Sequence, residues 1–161
     1  MQYRYEKSAL YFQKAADLLP EGYEWKRAKY LNAAGNDLYY IARYDEALSL
    51  CEQSLSICRE IGDRKGEARY LNNISTIYHY QGEYSKAMEQ HKQALAICRE
   101  LGDRAGEANR CWNLGLSYID MGDLAKAERY MSRAVQLAEE IGHPKLEEWR
   151  KTLAVIRNHR L

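Results

Sequence analysis

Residues 57–68 read ICREIGDRKGEA and residues 97–108 read ICRELGDRAGEA, so a twelve-residue phrase recurs after 40 positions with two changes. A third, weaker copy follows at Glu140-Ile141-Gly142-His143-Pro144-Lys145-Leu146-Glu147, with Gly142 and Glu147 again 40 positions beyond Gly102 and Glu107. A fixed period of this length marks stacked structural units, none of which can bury its apolar face alone. The phrase itself has a local reading. Gly62 and Gly102 suit the left-handed residue that ends a helix. Asp63 and Asp103 suit the cap of the next helix, where a carboxylate accepts from free amides. Glu67 and Glu107 then fall in the first turn, where the helix dipole favours an acid. Pro144 supplies a first-turn proline in the third copy. The glycine spacing fits neither a P-loop nor a dinucleotide fingerprint.

Working outward, each unit carries a second pattern. A large residue, an apolar one three later, a small one, then a large one recur at Leu31, Ala34, Gly35, Leu38, at Leu71, Ile74, Ser75, Tyr78, and at Cys111, Leu114, Gly115, Tyr118. Steps of three and four put them on one helix face. The small residue lets two helices approach, because side-chain bulk sets the interaxial distance. A turn follows at Ala42, Gly82 and Gly122. Tyr44, Tyr84 and Leu124 open a second helix with alanines at Ala47, Ala87 and Ala127, then Cys51, His91, Met131 and Ser54, Ala94, Ala134.

This arrangement resembles the tetratricopeptide family, over nearly all of the chain. The family's tryptophan slot holds Leu31, Leu71 and Cys111, and its closing proline slot holds Arg59, Arg99 and Glu139. The period also exceeds the family's standard of about 34 and overlaps that of HEAT and armadillo repeats, but the small-residue and alanine spacing favours the tetratricopeptide reading. The fold class expected is all-α, a right-handed α-solenoid of stacked antiparallel helix pairs. One domain over 1–161 divides into an orphan second helix (1–22), repeats at 23–62, 63–102 and 103–142, and a C-terminal capping helix (143–161), eight helices in all. The orphan is recognised by Tyr5, Ser8, Phe12, Ala15 and Pro20, each 39 positions before Tyr44, Ala47, Cys51, Ser54 and Arg59. The chain thus reads as part of a longer array. In the last helix, from about Pro144 to His159, Leu146, Trp149, Leu153 and Ile156 are expected to cover the last unit.

The resemblance implies that the first helix of each pair lines a concave face. The slots off the packing stripe would then face a ligand: Lys29, Asn32, Asn36, Tyr39 and Tyr40; Arg69, Asn72, Asn73, Thr76, His79 and Tyr80; Asn109, Trp112, Asn113 and Asp120. Asparagine is a mediocre helix former, yet an amide offers both donor and acceptor to an extended backbone. Aromatic and arginine side chains dominate binding hot spots, and Lys29 or Arg69 can meet a carboxylate. The reading of asparagines as hydrogen-bonding links between helices stays open beside this one. The long repeat with its GDRxGEA link resembles arrays of Pins-type spindle adaptors, kinesin light chains and bacterial proteins that read peptides. It implies a scaffold that takes an extended peptide or partner segment.

Composition narrows the rivals. With 24 basic and 23 acidic residues the net charge is +1, so an RNA-reading repeat is disfavoured and no nucleic-acid partner is expected. No apolar run reaches the roughly 20 residues that span a bilayer, and no signal peptide is evident; the reading is a cytoplasmic protein without a membrane partner. Cys51, Cys58, Cys98 and Cys111 match no zinc or disulfide spacing and read as buried structural thiols. The histidines His79, His91, His143 and His159 form no zinc-protease pair, and no nucleophile elbow is evident. No catalytic residue, metal or cofactor is expected, and the chain is not read as an enzyme. Self-association through exposed terminal helices, around Tyr3, Tyr11 and Phe12, remains as an alternative or added property, giving a homodimer.

Overall fold

The computed structural model describes residues 1–159, so the last two positions of the 143–161 segment lie outside it. Among the described residues are eight α-helices and no strand: α1 (Gln2–Asp17), α2 (Glu24–Tyr40), α3 (Tyr44–Ile61), α4 (Arg64–Tyr80), α5 (Tyr84–Glu100), α6 (Arg104–Asp120), α7 (Leu124–Ile141) and α8 (Leu146–Asn158). They form two compact units, Met1–Glu83 with α1 to α4, and α5 to α8 from Tyr84 onward. The division falls inside the second 40-residue copy, after its central turn.

The recurring phrase builds the same corner twice. Gly62 and Gly102 end α3 and α5 at φ +72° and +66°. Beyond them the Asp63 and Asp103 amides bond the Cys58 and Cys98 carbonyls, each at 2.9 Å. This six-to-one closure satisfies carbonyls that a helix end would leave bare. The Asp63 and Asp103 carboxylates then accept from the Gly66 and Gly106 amides, both at 2.8 Å. A side chain cannot replace either glycine: its Cβ would overlap the capping carboxylate and lie 2.8 Å from the Cys58 or Cys98 sulfur. Cysteine, aspartate and glycine thus recur together because they occupy one small volume. The third copy departs from the pattern. Gly142 is again left-handed at φ +66°, but Pro144 lies in the turn ahead of α8, whose first residue is Leu146. The first-turn place expected for it is not used, because the Leu146 amide bonds the His143 carbonyl at 3.1 Å and the helix starts two residues later than in the second copy.

In the first unit α2 packs on α1 and α3, and α3 also on α4. Gly35 lies at the α2–α3 contact, where a Cβ would come within 2.7 Å of the Cys51 sulfur and 3.0 Å of the Ala47 carbonyl. Around this contact Ala34, Leu38, Ala47, Cys51 and Leu55 are buried. In the second unit α6 packs on α5 and α7, and α8 on α7. Gly115 repeats the close approach, its Cβ position 2.5 Å from Met131 Cγ. Trp149 and Leu153 of α8 join the same core as Trp112, Leu114 and Leu137.

Two acids are buried at the corners. Glu67 and Glu107 are each only 6% exposed. Glu67 receives Arg59 Nε at 2.9 Å and Arg64 Nη1; Glu107 receives Arg99 Nε at 3.0 Å and Arg133 Nη2 at 3.5 Å. The arginines in the family's proline slot therefore fold back over the turn to neutralise a first-turn glutamate. In the third copy the polarity reverses, with Arg150 bonding Glu139 at 2.8 Å. All four cysteines are free and buried. Burial pushes the Cys51 thiol up to about 12 and the Cys58 and Cys111 thiols up to about 11.

Candidate functional site

The expected ligand-facing residues of the first unit form two stripes. Lys29, Asn36 and Tyr40 follow one line along α2, and Arg69, Asn72, Asn73, Thr76 and Tyr80 follow the corresponding line along α4. The stripes meet. Asn73 Nδ2 donates to Asn32 Oδ1 at 2.9 Å, and the Tyr39 and Tyr80 rings touch edge to face at 5.3 Å.

Not every expected residue is open. Asn32 is 9% exposed; besides Asn73, its Oδ1 takes the Cys51 thiol at 3.8 Å. It is a link between helices, since first helices lying side by side cover each other's inner positions. Trp112 is a second correction. It is 8% exposed and stacks flat on Trp149, centroids 4.7 Å apart. The α8 helix brings that second indole over it, and His143 stacks on the far side of Trp149 at 4.6 Å. Asn73 is half-buried and held by Asn32, so its amide serves the fold first. Thr76 Oγ1 bonds the Asn72 carbonyl at 3.1 Å, and Asn109 Nδ2 bonds the Ala105 carbonyl at 2.9 Å. Asn72 and Asn113 are half-buried; their carbonyls accept Ser75 and Ser117 hydroxyls at 2.7 and 3.1 Å.

Open positions remain. Lys29 and Arg69 are exposed and Asn36 is half-exposed. The Arg69 guanidinium lies over the Tyr70 ring, 5.0 Å from its centroid, and donates to the Tyr70 hydroxyl at 3.2 Å. At the C-terminal ends of α2 and α4 the stripes run into a cluster of rings. Tyr5 of α1 stacks on Tyr40 at 5.3 Å, Tyr40 meets Tyr39 at 5.3 Å, and Tyr44 of α3 lies 6.0 Å from Tyr39 and 6.3 Å from Tyr80. His79 flanks Tyr80 at 5.8 Å. Tyr40 is 65% exposed and Tyr80 59%. Burial, then the hydrogen bond and charge of Tyr80, push the Tyr39 phenol above its ordinary range. Tyr39, Tyr40, His79 and Tyr80 are among the expected inner-face residues, whereas Tyr5 and Tyr44 are not; the one available signal for these two is that tyrosine clusters around the central turn of the first copy.

Beside Tyr5 a cavity of about 350 Å³ is lined by Met1, Arg4, Tyr5, Ser8 and Asp37. The Asp37 Oδ2 atom is buried and has no hydrogen-bond partner among the described residues. Among those residues no group of three or more His, Cys, Asp or Glu side chains is placed to hold a metal ion, and no helix is long and apolar enough to cross a membrane.

Paired helices with a left-handed turn, a small residue at each crossing and capped links describe one repeat type, and a model of the tetratricopeptide repeat matches residues 26–100 and another matches 108–141. The chain belongs to the tetratricopeptide repeat family. No curated protein matches it. Among solved structures it is similar to the apo form of RapI (18% identity, 98% of this chain and 45% of that chain, TM-score 0.88). BtubC from P. vanneervenii is also similar (18% identity, 98% and 74%, TM-score 0.75), as is a Rap protein complexed with competence and sporulation factor (19% identity, 96% and 44%, TM-score 0.78). At these identities the likeness concerns the fold alone. The chain spans less than half the length of the two Rap chains. Tetratricopeptide repeats are protein-interaction folds, and this chain has the architecture of a protein–protein interaction scaffold.

Proposed function

We propose that the chain takes an extended peptide or partner segment on the first-helix faces, chiefly along α2 and α4. Lys29, Asn36, Tyr40, Arg69, Asn72 and Thr76 contact the ligand there; in the second unit, taken by itself, Asn109 and Asn113 are the corresponding candidates on α6. Asn32 and Asn73 hold the two helices in register beneath it. The observation that carries the reading is the pair of parallel stripes joined by the Asn73–Asn32 bond. They offer two exposed cations and an aromatic edge on one rigid surface, at low ordering cost. The Rap protein solved as a complex with competence and sporulation factor lends support by its fold.

The test is peptide selection from a displayed random library, followed by affinity measurement against a Lys29→Ala, Arg69→Ala variant. Lys29 is exposed and Arg69 gives up its contact with the buried Tyr70, so the variant melts only a few degrees lower, yet loses at least tenfold in affinity. Selected peptides that bind the variant equally well refute the assignment. A second reading, homodimerisation through α1, is favoured by the exposure of Tyr3, Leu10 and Tyr11 on that helix and of Leu18 just beyond its end. Sedimentation equilibrium decides it, since a monomer at every concentration excludes it.

A further inference from the structure

The open side of α1 carries a surface apart from the α2–α4 stripes. In each unit a second helix buries one row of slots against the first helix it pairs with: Ala47, Cys51 and Ser54 on α3, and Ala127, Met131 and Ala134 on α7, are all closed to water. The α1 helix is of the same kind. Its matching residues, 39 positions before those of α3, are Ser8, Phe12 and Ala15, and all three are only half-buried. Beside them a groove of about 430 Å³ is lined by Tyr3, Arg4, Lys7, Ser8, Tyr11 and Phe12. The Phe12 ring is anchored inward, 5.9 Å from Tyr30, and Tyr11 meets it edge-on at 6.0 Å. Tyr3 and Tyr11 themselves are 75% and 69% exposed. A face that takes a helix elsewhere in this fold is here uncovered.

The charge on that face has one sign. Arg4, Lys7, Tyr11, Lys14 and Leu18 follow one another at steps of three and four, so three cations share one stripe with two large apolar side chains. The two acids of α1 are turned away from it. Asp17 lines a different cavity with Arg27. Glu6 adds, after Glu46, to the charge that holds the Arg43 guanidinium above its ordinary range. Arg4 also lines the Asp37 cavity, but Lys7 and Lys14 are exposed and form no ion pair among the described residues. An occupant that covers them has to bring acids, because a covered cation without a partner loses its hydration for nothing. A helix suits the shape, since the 16 residues of α1 present about 24 Å of face at helix-packing spacing.

A second copy of this chain is the poorer occupant. A twofold axis would set the α1 stripe against itself, cation against cation. The α8 helix fits no better. Its Val155 stands 40 positions beyond Gly115, and a single methyl at Gly115 would already come within 2.5 Å of Met131 Cγ. A valine in that slot keeps the two helices of a pair apart.

We propose that the open face of α1 docks an acidic amphipathic helix of a partner protein, with its apolar side on Tyr3, Tyr11 and Leu18 and its carboxylates against Lys7 and Lys14. This helix-in-groove mode goes beyond the extended-peptide reading and uses none of its residues. Labelled synthetic helices of about 18 residues test it on the whole chain by anisotropy and nitrogen–proton correlation spectra. One has leucine and alanine along one stripe and glutamates beside it, one has lysines in place of the glutamates, and one is the glutamate peptide scrambled. The glutamate helix should saturate, shift Tyr3, Lys7, Tyr11 and Lys14, and bind at least tenfold tighter than the other two. Lys7→Glu with Lys14→Glu changes only exposed side chains and should reverse the preference between glutamate and lysine. Tyr11→Ala should weaken the glutamate helix at least fivefold; should it unfold the chain, the charge reversal alone decides. Lys29→Ala with Arg69→Ala should leave this binding unchanged, so the two readings fail separately. A glutamate preference that survives the charge reversal, or equal binding of the scrambled peptide, overturns the proposal. So do concentration-dependent shifts of the same resonances without any probe, which mark a second copy. Shifts from phosphatidylserine vesicles with none from the glutamate helix mark a membrane surface and overturn it too.

Discussion

Replacing Gly35 by alanine pits helix propensity against packing. In an exposed helix interior the change stabilises by about 1 kcal/mol. At Gly35 the new methyl meets the Cys51 sulfur at 2.7 Å and the Ala47 carbonyl oxygen at 3.0 Å. Cys51 is wholly buried and the Ala47 oxygen is backbone, so neither neighbour yields without moving α2 from α3. Overpacking of this kind costs about 1–3 kcal/mol, and a backbone clash places it toward the upper end. The net expectation is a loss of about 1–2 kcal/mol, or roughly 3–7 °C in melting temperature for a chain of this size. Urea and thermal unfolding followed by circular dichroism measure it. Cys51→Ala alone should cost about 1–2 kcal/mol, for the lost sulfur volume and its bond to Asn32. In the double variant one clash disappears, so the two losses should sum to about 1 kcal/mol more than the double shows. A Gly35→Ala protein as stable as the parent, or strictly additive effects, would mean that the helices do not touch at this residue.

Other outcomes follow from the same structure. Ala42 sits at φ +61°, where Gly82 and Gly122 stand in the later copies; Ala42→Gly should therefore stabilise by about 0.5–1 kcal/mol despite the entropy of glycine, measured by urea unfolding. Glu67→Gln should cost about 1–2 kcal/mol, since the glutamate side chain is 8% exposed but Arg59 and Arg64 are about half open to water. Glu147→Gln, whose side chain is 73% exposed, should change little. The thiols give a pH dependence. Cys51 is pushed up to about 12 and Cys58 and Cys111 up to about 11 in the folded chain, so the unfolded chain loses those protons first. Stability is therefore full below pH ~9 and falls as pH rises toward 11–12, with buried Tyr70 and half-buried Tyr78 adding in the same direction. Calorimetry from pH 7 to 10 should show this fall, and Cys51→Ala should lessen it.

The helices and their corners were legible because their determinants are local. Gly62, Asp63 and Gly66 serve one turn, and Tyr44, Tyr84 and Leu124 open the helices expected of them. What lay beyond the sequence was which neighbour covers a given stripe. Trp112 and Asn32 have the spacing of an open face, but Trp149 and Asn73 arrive from other helices to bury them. Periodicity also cannot tell a solvated first-turn acid from a buried one: Glu67 and Glu107 are inside because Arg59 and Arg99, eight residues earlier, fold back across a turn. Tyr5 and Tyr44 read as repeat openers, and only the stacking of three helices turns them into one aromatic surface with Tyr40 and Tyr80.

The central claim is that a partner peptide lies along α2 and α4. It is tested most directly by titrating the labelled chain with a library-selected peptide and mapping the resonances that move. The account predicts saturable shifts at Lys29, Asn36, Arg69 and Thr76, with none at Glu52, Ser56 and Glu60 on the outward side of α3. Shifts confined to those α3 residues would contradict it.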